Sequence, residues 1–236
     1  MQHSLIQAGF ILLTFGSFAL LFLEIKKAIK LTEWPSSRKI KFTSLFLAGL
    51  IVWTMFVSIQ SMSGRMGNFA IFPLNMLPIL AIPIIAVLAF TFSKAGKEIL
   101  LHIPTENIIR LQVFRLFVEL LLWSLYIENQ APIQMTFEGR NWDVLSGISA
   151  PIIAFLVARG KISKTGLAIW NLACLGLLIN ILTVAILSMP TPFRAFMNEP
   201  SNTIVTQFPV SWLPGMLVPL AYGLHFISLR QLYLKK

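Results

Sequence analysis

Seven apolar runs, most of them about 18–22 residues long, divide this chain, and short polar connectors separate them. A helix rises ~1.5 Å per residue, so a run of that length matches the ~30 Å hydrocarbon core of a bilayer. The runs cover residues 4–24, 43–62, 71–92, 108–127, 144–159, 166–188 and 211–231, and the fifth is the shortest. The spacing predicts an all-α membrane protein of seven transmembrane helices, forming a single polytopic domain over residues 1–236. Composition agrees. Apolar residues make up 56% of the chain and charged residues 12%, against about a quarter in soluble domains. That is too little charge to cover a soluble surface.

The formal net charge is +10. A nucleic-acid binder presents a basic face interleaved with aromatics on a soluble fold. Here the cations sit in clusters between apolar runs, so nucleic acid is not an expected partner and the lipid bilayer is. Basic connectors stay on the cytoplasmic side of a membrane. One set of connectors carries Lys26, Lys27, Lys30, Arg38, Lys39 and Lys41, then Lys94 and Lys97, then Arg159, Lys161 and Lys164, and finally Arg230, Lys235 and Lys236. The alternate set carries Arg65, Arg140 and Arg194. Fourteen cations against three predict an outer N-terminus and a cytoplasmic C-terminus, in a cytoplasmic membrane of bacterial type. The first run is read as a retained helix. A secretory signal carries its cations before the apolar stretch, whereas "EIKKAIK" follows it.

The fourth run raises the functional question. In "RLQVFRLFVELLLW", Arg115 and Glu119 lie one helical turn apart near the membrane centre. Gln112, Arg115, Glu119, Trp123 and Tyr126 share one helix face. Each mid-membrane charge costs about 2.5–3.5 kcal/mol on insertion scales, so such residues face the protein interior and mark ligand or ion paths. The other reading makes Arg115 and Glu119 a mutual ion pair that fixes helix four to its neighbours. Thr105 is expected to cap this helix, with Glu106 in its first turn.

Further polar seams surround it. Thr54, Ser58 and Ser61 share a face of the second run, and Ala173, Gly176, Asn180 and Thr183 a face of the sixth. Ala150, Ala154 and Ala158 form a small-residue seam in the fifth. Such faces usually carry helix–helix contact in lipid. Pro73, Pro78 and Pro83 predict a kinked third helix next to a cavity, with Asn75 beside it. His225 lies in the seventh run among Pro214, Pro219 and Gly223. The outer connector "FEGRNWD" brings Glu138, Arg140 and Asp143 within six residues, with Gly139 at a turn and Asp143 placed to cap helix five.

Several chemistries are set aside. The only cysteine, Cys174, lies inside an apolar run and forms no disulfide or metal pattern. Three histidines give no HExxH site, and no Walker A or GxGxxG pattern occurs, so neither metal nor cofactor is expected. Seven helices with an outer N-terminus resemble the rhodopsin-like arrangement. Its retinal needs a lysine midway along the last helix, and "WLPGMLVPLAYGLHFISL" holds none. The segment "GISA" around Ser149 resembles the nucleophile setting of intramembrane serine proteases, although the histidine context of that family is missing around His225. The expected function is transport or sensing of a small anionic or protonatable ligand. In it Arg115 attracts an anion or fixes a carboxylate, and Glu119 takes a proton or cation. The candidate polar site comprises Arg115, Glu119, Gln112, Asn180, His225 and Tyr126. The rivals are a membrane-embedded enzyme using Glu119, His225 or Ser149, and a structural subunit.

Overall fold

A computed structural model describes residues 2–235, which form helices and turns with no strand among them. The helices are α1 (Gln2–Leu31), α2 (Ser36–Met62), α3 (Leu77–Phe92), α4 (Lys94–His102), α5 (Thr105–Leu111), α6 (Phe114–Ile127), α7 (Val144–Ala158), α8 (Lys164–Leu187) and α9 (Val218–Leu234). Each apolar run falls on a helix or a broken helix. Among the described residues, α1, α2 and α8 are long and apolar enough to cross a membrane. A fourth span results if α3 and α4, bent by 75° at Ser93, count as one. Large side chains such as Leu12, Leu45, Ile51 and Ile169 point outward from these helices, as lipid-facing residues do.

The helices depart from the sequence expectation where proline and side-chain chemistry intervene. Residues 71–76 do not extend α3 as an intact helix. Pro78 stands in the first turn of α3, where its missing N–H costs nothing. The sharp bend falls instead at Ser93, whose hydroxyl accepts a hydrogen bond from the Gly96 amide at 2.8 Å and starts α4. The fourth run is also broken. At Gln112–Val113 the backbone bonds shorten to three-residue steps, Gln112 N to Ile109 O at 3.0 Å and Arg115 N to Gln112 O at 3.1 Å. Thr105 is the first helical residue of α5 rather than its cap; its hydroxyl accepts from Lys235 Nζ at 3.4 Å.

The segment before α9 is a π-helical stretch, Leu213–Leu217. Its origin is chemical. In a regular helix the residue-219 N–H would donate to the Gly215 carbonyl, and Pro219 has none. Trp53 Nε1 of α2 donates to that carbonyl instead, at 2.8 Å. Trp212 Nε1 donates to Ser58 Oγ at 2.9 Å, and Ser61 Oγ donates to Thr206 O at 2.8 Å. The Thr54–Ser58–Ser61 face of α2 thus packs on the chain leading into α9.

α9 is the central element and packs against α3, α4, α5 and α8. Its buried face includes Leu220, Ala221, Leu224, His225, Ile227 and Ser228. α7 crosses close to α6: a Cβ added at Gly147 would lie 2.4 Å from Leu116 N. The small-residue face of α8 behaves differently. Ala173, Gly176, Asn180 and Thr183 are exposed, and the packed face is Leu167, Asn171, Cys174, Leu178 and Ile181. In the α7 seam Ala150 and Ala154 are buried, whereas Ala158 is exposed.

Candidate functional site

The site grows from Arg115 on α6, which is 1% exposed. Its partner is not Glu119. Arg115 Nε donates to Asp143 Oδ2 at 2.8 Å, and Nη2 makes a close ion pair with Asp143 Oδ1. This forked pairing brings the planar guanidinium against the whole carboxylate. Nη2 also donates to Cys174 O at 3.2 Å, and Nη1 lies 2.7 Å from His225 Nε2. Arg115 therefore joins α6 to α7, α8 and α9. An anion-attracting role does not fit it, because four of its five N–H donors are already engaged.

The hydrogen-bond pattern assigns the histidine. Asn171 Nδ2 donates to Leu167 O at 2.8 Å and to Ser228 Oγ at 3.0 Å, so Asn171 Oδ1 is the acceptor facing His225 Nδ1, 2.9 Å away. His225 Nδ1 then carries the hydrogen. Nε2 must accept from Arg115, which has only donors. His225 is thus a neutral imidazole, and the Trp170 ring packs beside it with 5.5 Å between centroids.

Asp143 occupies the N-terminal boundary of α7, but its carboxylate makes no cap bond to the helix. Arg115 holds it instead, and Ser146 Oγ donates to Oδ1 at 3.4 Å. Asn141 orders the approach: its Oδ1 accepts from Asp143 N at 3.1 Å, while its Nδ2 donates to Met135 O at 3.0 Å and to Glu119 Oε2 at 2.5 Å. Gly139 is required by close approach. A Cβ there would meet Ile133 O at 2.3 Å.

Glu119 is 2% exposed, and Oε2 is taken by Asn141. Among the described residues no donor reaches Oε1. Glu119 lines a cavity of about 250 Å³ between α3, α6, α8 and the π-helical stretch. The wall includes Leu77, Val118, Leu178, Ile181 and Pro214; among the described residues Glu119 and Asp143 are its only ionisable ones. Asp143 is neutralised by Arg115. Glu119 has no cation within ion-pair distance among the described residues.

The remaining predicted residues divide. Gln112 joins the cluster's flank, with Nε2 donating to Ala221 O at 3.1 Å. Tyr126 makes none of these bonds. Asn180 lies outside the cluster, on an outer groove, where Nδ2 donates to Arg140 O at 2.8 Å. Glu138 and Arg140 do not pair with each other: Glu138 accepts from Trp123 Nε1 at 2.8 Å, and Arg140 lies over the Phe196 ring. Ser149 Oγ donates to Ser146 O at 3.3 Å and accepts from Trp170 Nε1 at 3.0 Å, so no base reaches it. Asn171, Asn141 and Ser228 escaped the sequence reading. Asn171 and Asn141 had a usable signal, since one interrupts an apolar run and the other sits within "FEGRNWD". Ser228 carried none.

Beyond the site, Arg194 and the Ser201 amide donate to Glu199 at 3.0 and 2.8 Å in the connector between α8 and the π-helical stretch. These bonds hold the Glu199 carboxyl below its ordinary range.

No curated protein and no solved structure matches this chain. A family model does match, from residue 71 to residue 233, beyond the end of α2 and across the whole Arg115–Glu119 cluster. With well over half of its length inside that match, the chain belongs to the family described as a domain of unknown function, DUF8737.

Proposed function

We propose that this protein is a transporter of a small, mostly apolar ligand, with seven membrane-crossing segments, an outer N-terminus and a cytoplasmic C-terminus in a bacterial-type cytoplasmic membrane. The observation that carries the reading is the position of Glu119: a carboxyl without a cationic partner in a cavity wall that is apolar apart from it and the Arg115-paired Asp143. A cavity of about 250 Å³ falls just below the ~300–1,000 Å³ of sites for drug-sized molecules, so its occupant is small or a single chain. Arg115, Asp143 and neutral His225 form the fixed frame behind it. Local neutrality then requires either a proton or a cationic group at Glu119.

Two irregular elements border the cavity, the proline-bearing start of α3 and the π-helical stretch. Irregular backbone at membrane depth is tolerated where it lines a cavity, and π-helical turns recur at functional sites. Both supply backbone able to shift as the ligand passes.

The test uses protein in phosphatidylcholine nanodiscs and N-phenyl-1-naphthylamine, an apolar fluorescent probe. The wild type should show saturable binding above empty nanodiscs. Ala185→Trp, which fills the cavity, should abolish it while keeping the wild-type melting temperature. Hydrogen exchange at residues 213–223 should change when probe binds. Binding no greater than that of empty nanodiscs, or unaltered by Ala185→Trp, contradicts the cavity. Unchanged exchange contradicts transport.

A further inference from the structure

The geometry points to an amphiphile with a positively charged amine head and a single aliphatic tail as the ligand, its ammonium on Glu119 Oε1 and its tail along the apolar wall. This rests on the cavity reading above and names the substrate class.

Three observations lead there. First, Glu119 is 2% exposed, it lines the cavity, and Oε1 has no donor among the described residues. An ionised carboxylate oxygen that faces an apolar cavity without a donor is poorly solvated, and a donor from the ligand supplies the missing bond. Second, the charges around Glu119 do not balance. Arg115 comes from its own helix, Asp143 from the start of α7 and His225 from α9, while Asn141 contributes an uncharged amide. Asp143 cancels Arg115 and His225 is neutral, so ionised Glu119 leaves one negative charge in excess. An ammonium cancels it. A carboxylate ligand would add a second negative charge, and the Arg115 guanidinium is already committed to Asp143. Third, apart from Glu119 and the Arg115-paired Asp143 the described wall is apolar, so the remainder of the ligand must be apolar. A sugar, nucleotide or zwitterionic amino acid would bury polar groups against Leu77, Leu178 and Ile181 without partners.

The ion pair forms against a largely apolar wall, and charge-assisted hydrogen bonds are roughly twice as strong as neutral ones. Discrimination between an amine and an isosteric alcohol is the direct readout.

The experiment displaces N-phenyl-1-naphthylamine from protein in phosphatidylcholine nanodiscs at pH 7. The competitors are octylammonium, octanol and octanoate, with concentrations counted in the lipid phase from empty nanodiscs. In the wild type, octylammonium should displace the probe at about one-tenth of the octanol concentration, equivalent to ~1.4 kcal/mol. Octanoate should be the weakest. In Glu119→Gln the probe should still bind, and octylammonium and octanol should become equal. Equal potency in the wild type with the probe bound overturns the amine assignment and leaves the cavity reading standing. So does an amine preference that survives Glu119→Gln. If the wild type does not bind the probe at all, the cavity reading fails and this inference falls with it.

Discussion

At the scale of single residues, Arg115 and Glu119 have opposite duties although one turn of helix separates them. Arg115 is held by acceptors from three elements, and its loss would leave Asp143 charged, buried and without a cationic partner. Arg115→Met should lower stability by about 3–5 kcal/mol, the usual cost of removing one partner of a buried pair. Arg115→Met combined with Asp143→Leu should recover most of that loss, because the carboxylate stranded by the first change is removed by the second. Thermal unfolding in detergent reads both. An additive double mutant would show that the pair is not the unit of stability. Glu119→Gln keeps the shape and can still accept from Asn141, so its unfolding should stay within ~1 kcal/mol of the wild type. The sequence made both buried charges visible, and a mutual pair was one of its two readings; the structure pairs Arg115 with Asp143. Four-residue spacing brings Arg115 near Glu119, but the competing carboxylate comes from a connector 28 residues away, and no periodicity reports that approach.

At the scale of elements, small residues separate into those that let helices meet and those that merely face outward. Gly147 lies against the α6 backbone, so Gly147→Ala should push α6 and α7 apart and cost about 1–3 kcal/mol. Gly176 has nothing within 4 Å of an added Cβ, and Gly176→Ala should be neutral or stabilise α8 by about 0.5–1 kcal/mol. Melting temperatures of the two variants check this; equal effects would contradict the α6–α7 contact. Sequence spacing alone could not rank these glycines: it put Gly176 on a small-residue seam and gave no packing part to Gly147. The α2 hydroxyl seam was legible because Thr54, Ser58 and Ser61 do share a packed face. The breaks were only partly legible: prolines announced irregular backbone, yet the 75° bend lies at Ser93 and the π-helical stretch depends on Trp53 reaching Gly215 from another helix. The α8–α9 connector adds a pH-dependent element. Glu199 has a carboxyl whose folded value lies below its unfolded one. Its contribution to loop order is therefore present above the unfolded value, about pH 4.3, and lost as pH falls through the lower folded value. A fluorophore at residue 197 should report loosening of this loop over that acid window, and Glu199→Gln should remove the transition.

At the scale of the whole molecule, the helices sort into an outer set and a core set. α1, α2 and α8 are long, apolar and largely outward-facing, and among the described residues they alone have the length of full spans before α3 and α4 are joined. α6, α7 and α9 are shorter than α1, α2 and α8, and together with Asn171 and Cys174 of α8 they carry the buried polar network. The all-helical architecture was legible because apolar length is a property of local sequence. The number of crossings is decided by how bent and broken segments sit in the bilayer, which composition does not record. The account depends on lipid surrounding these helices and on the charge asymmetry of the connectors setting their direction. Sided labelling of single cysteines in intact cells tests it most directly. Cys174 holds Arg115 through its backbone carbonyl, so a Cys174→Ala background preserves that bond. Cysteines placed singly at Lys39 and Lys161 should resist an impermeant maleimide until the cells are opened, whereas cysteines at Arg140 and Arg194 should react from outside. Labelling of positions 39 and 161 from the exterior, or equal labelling of all four, would contradict the account.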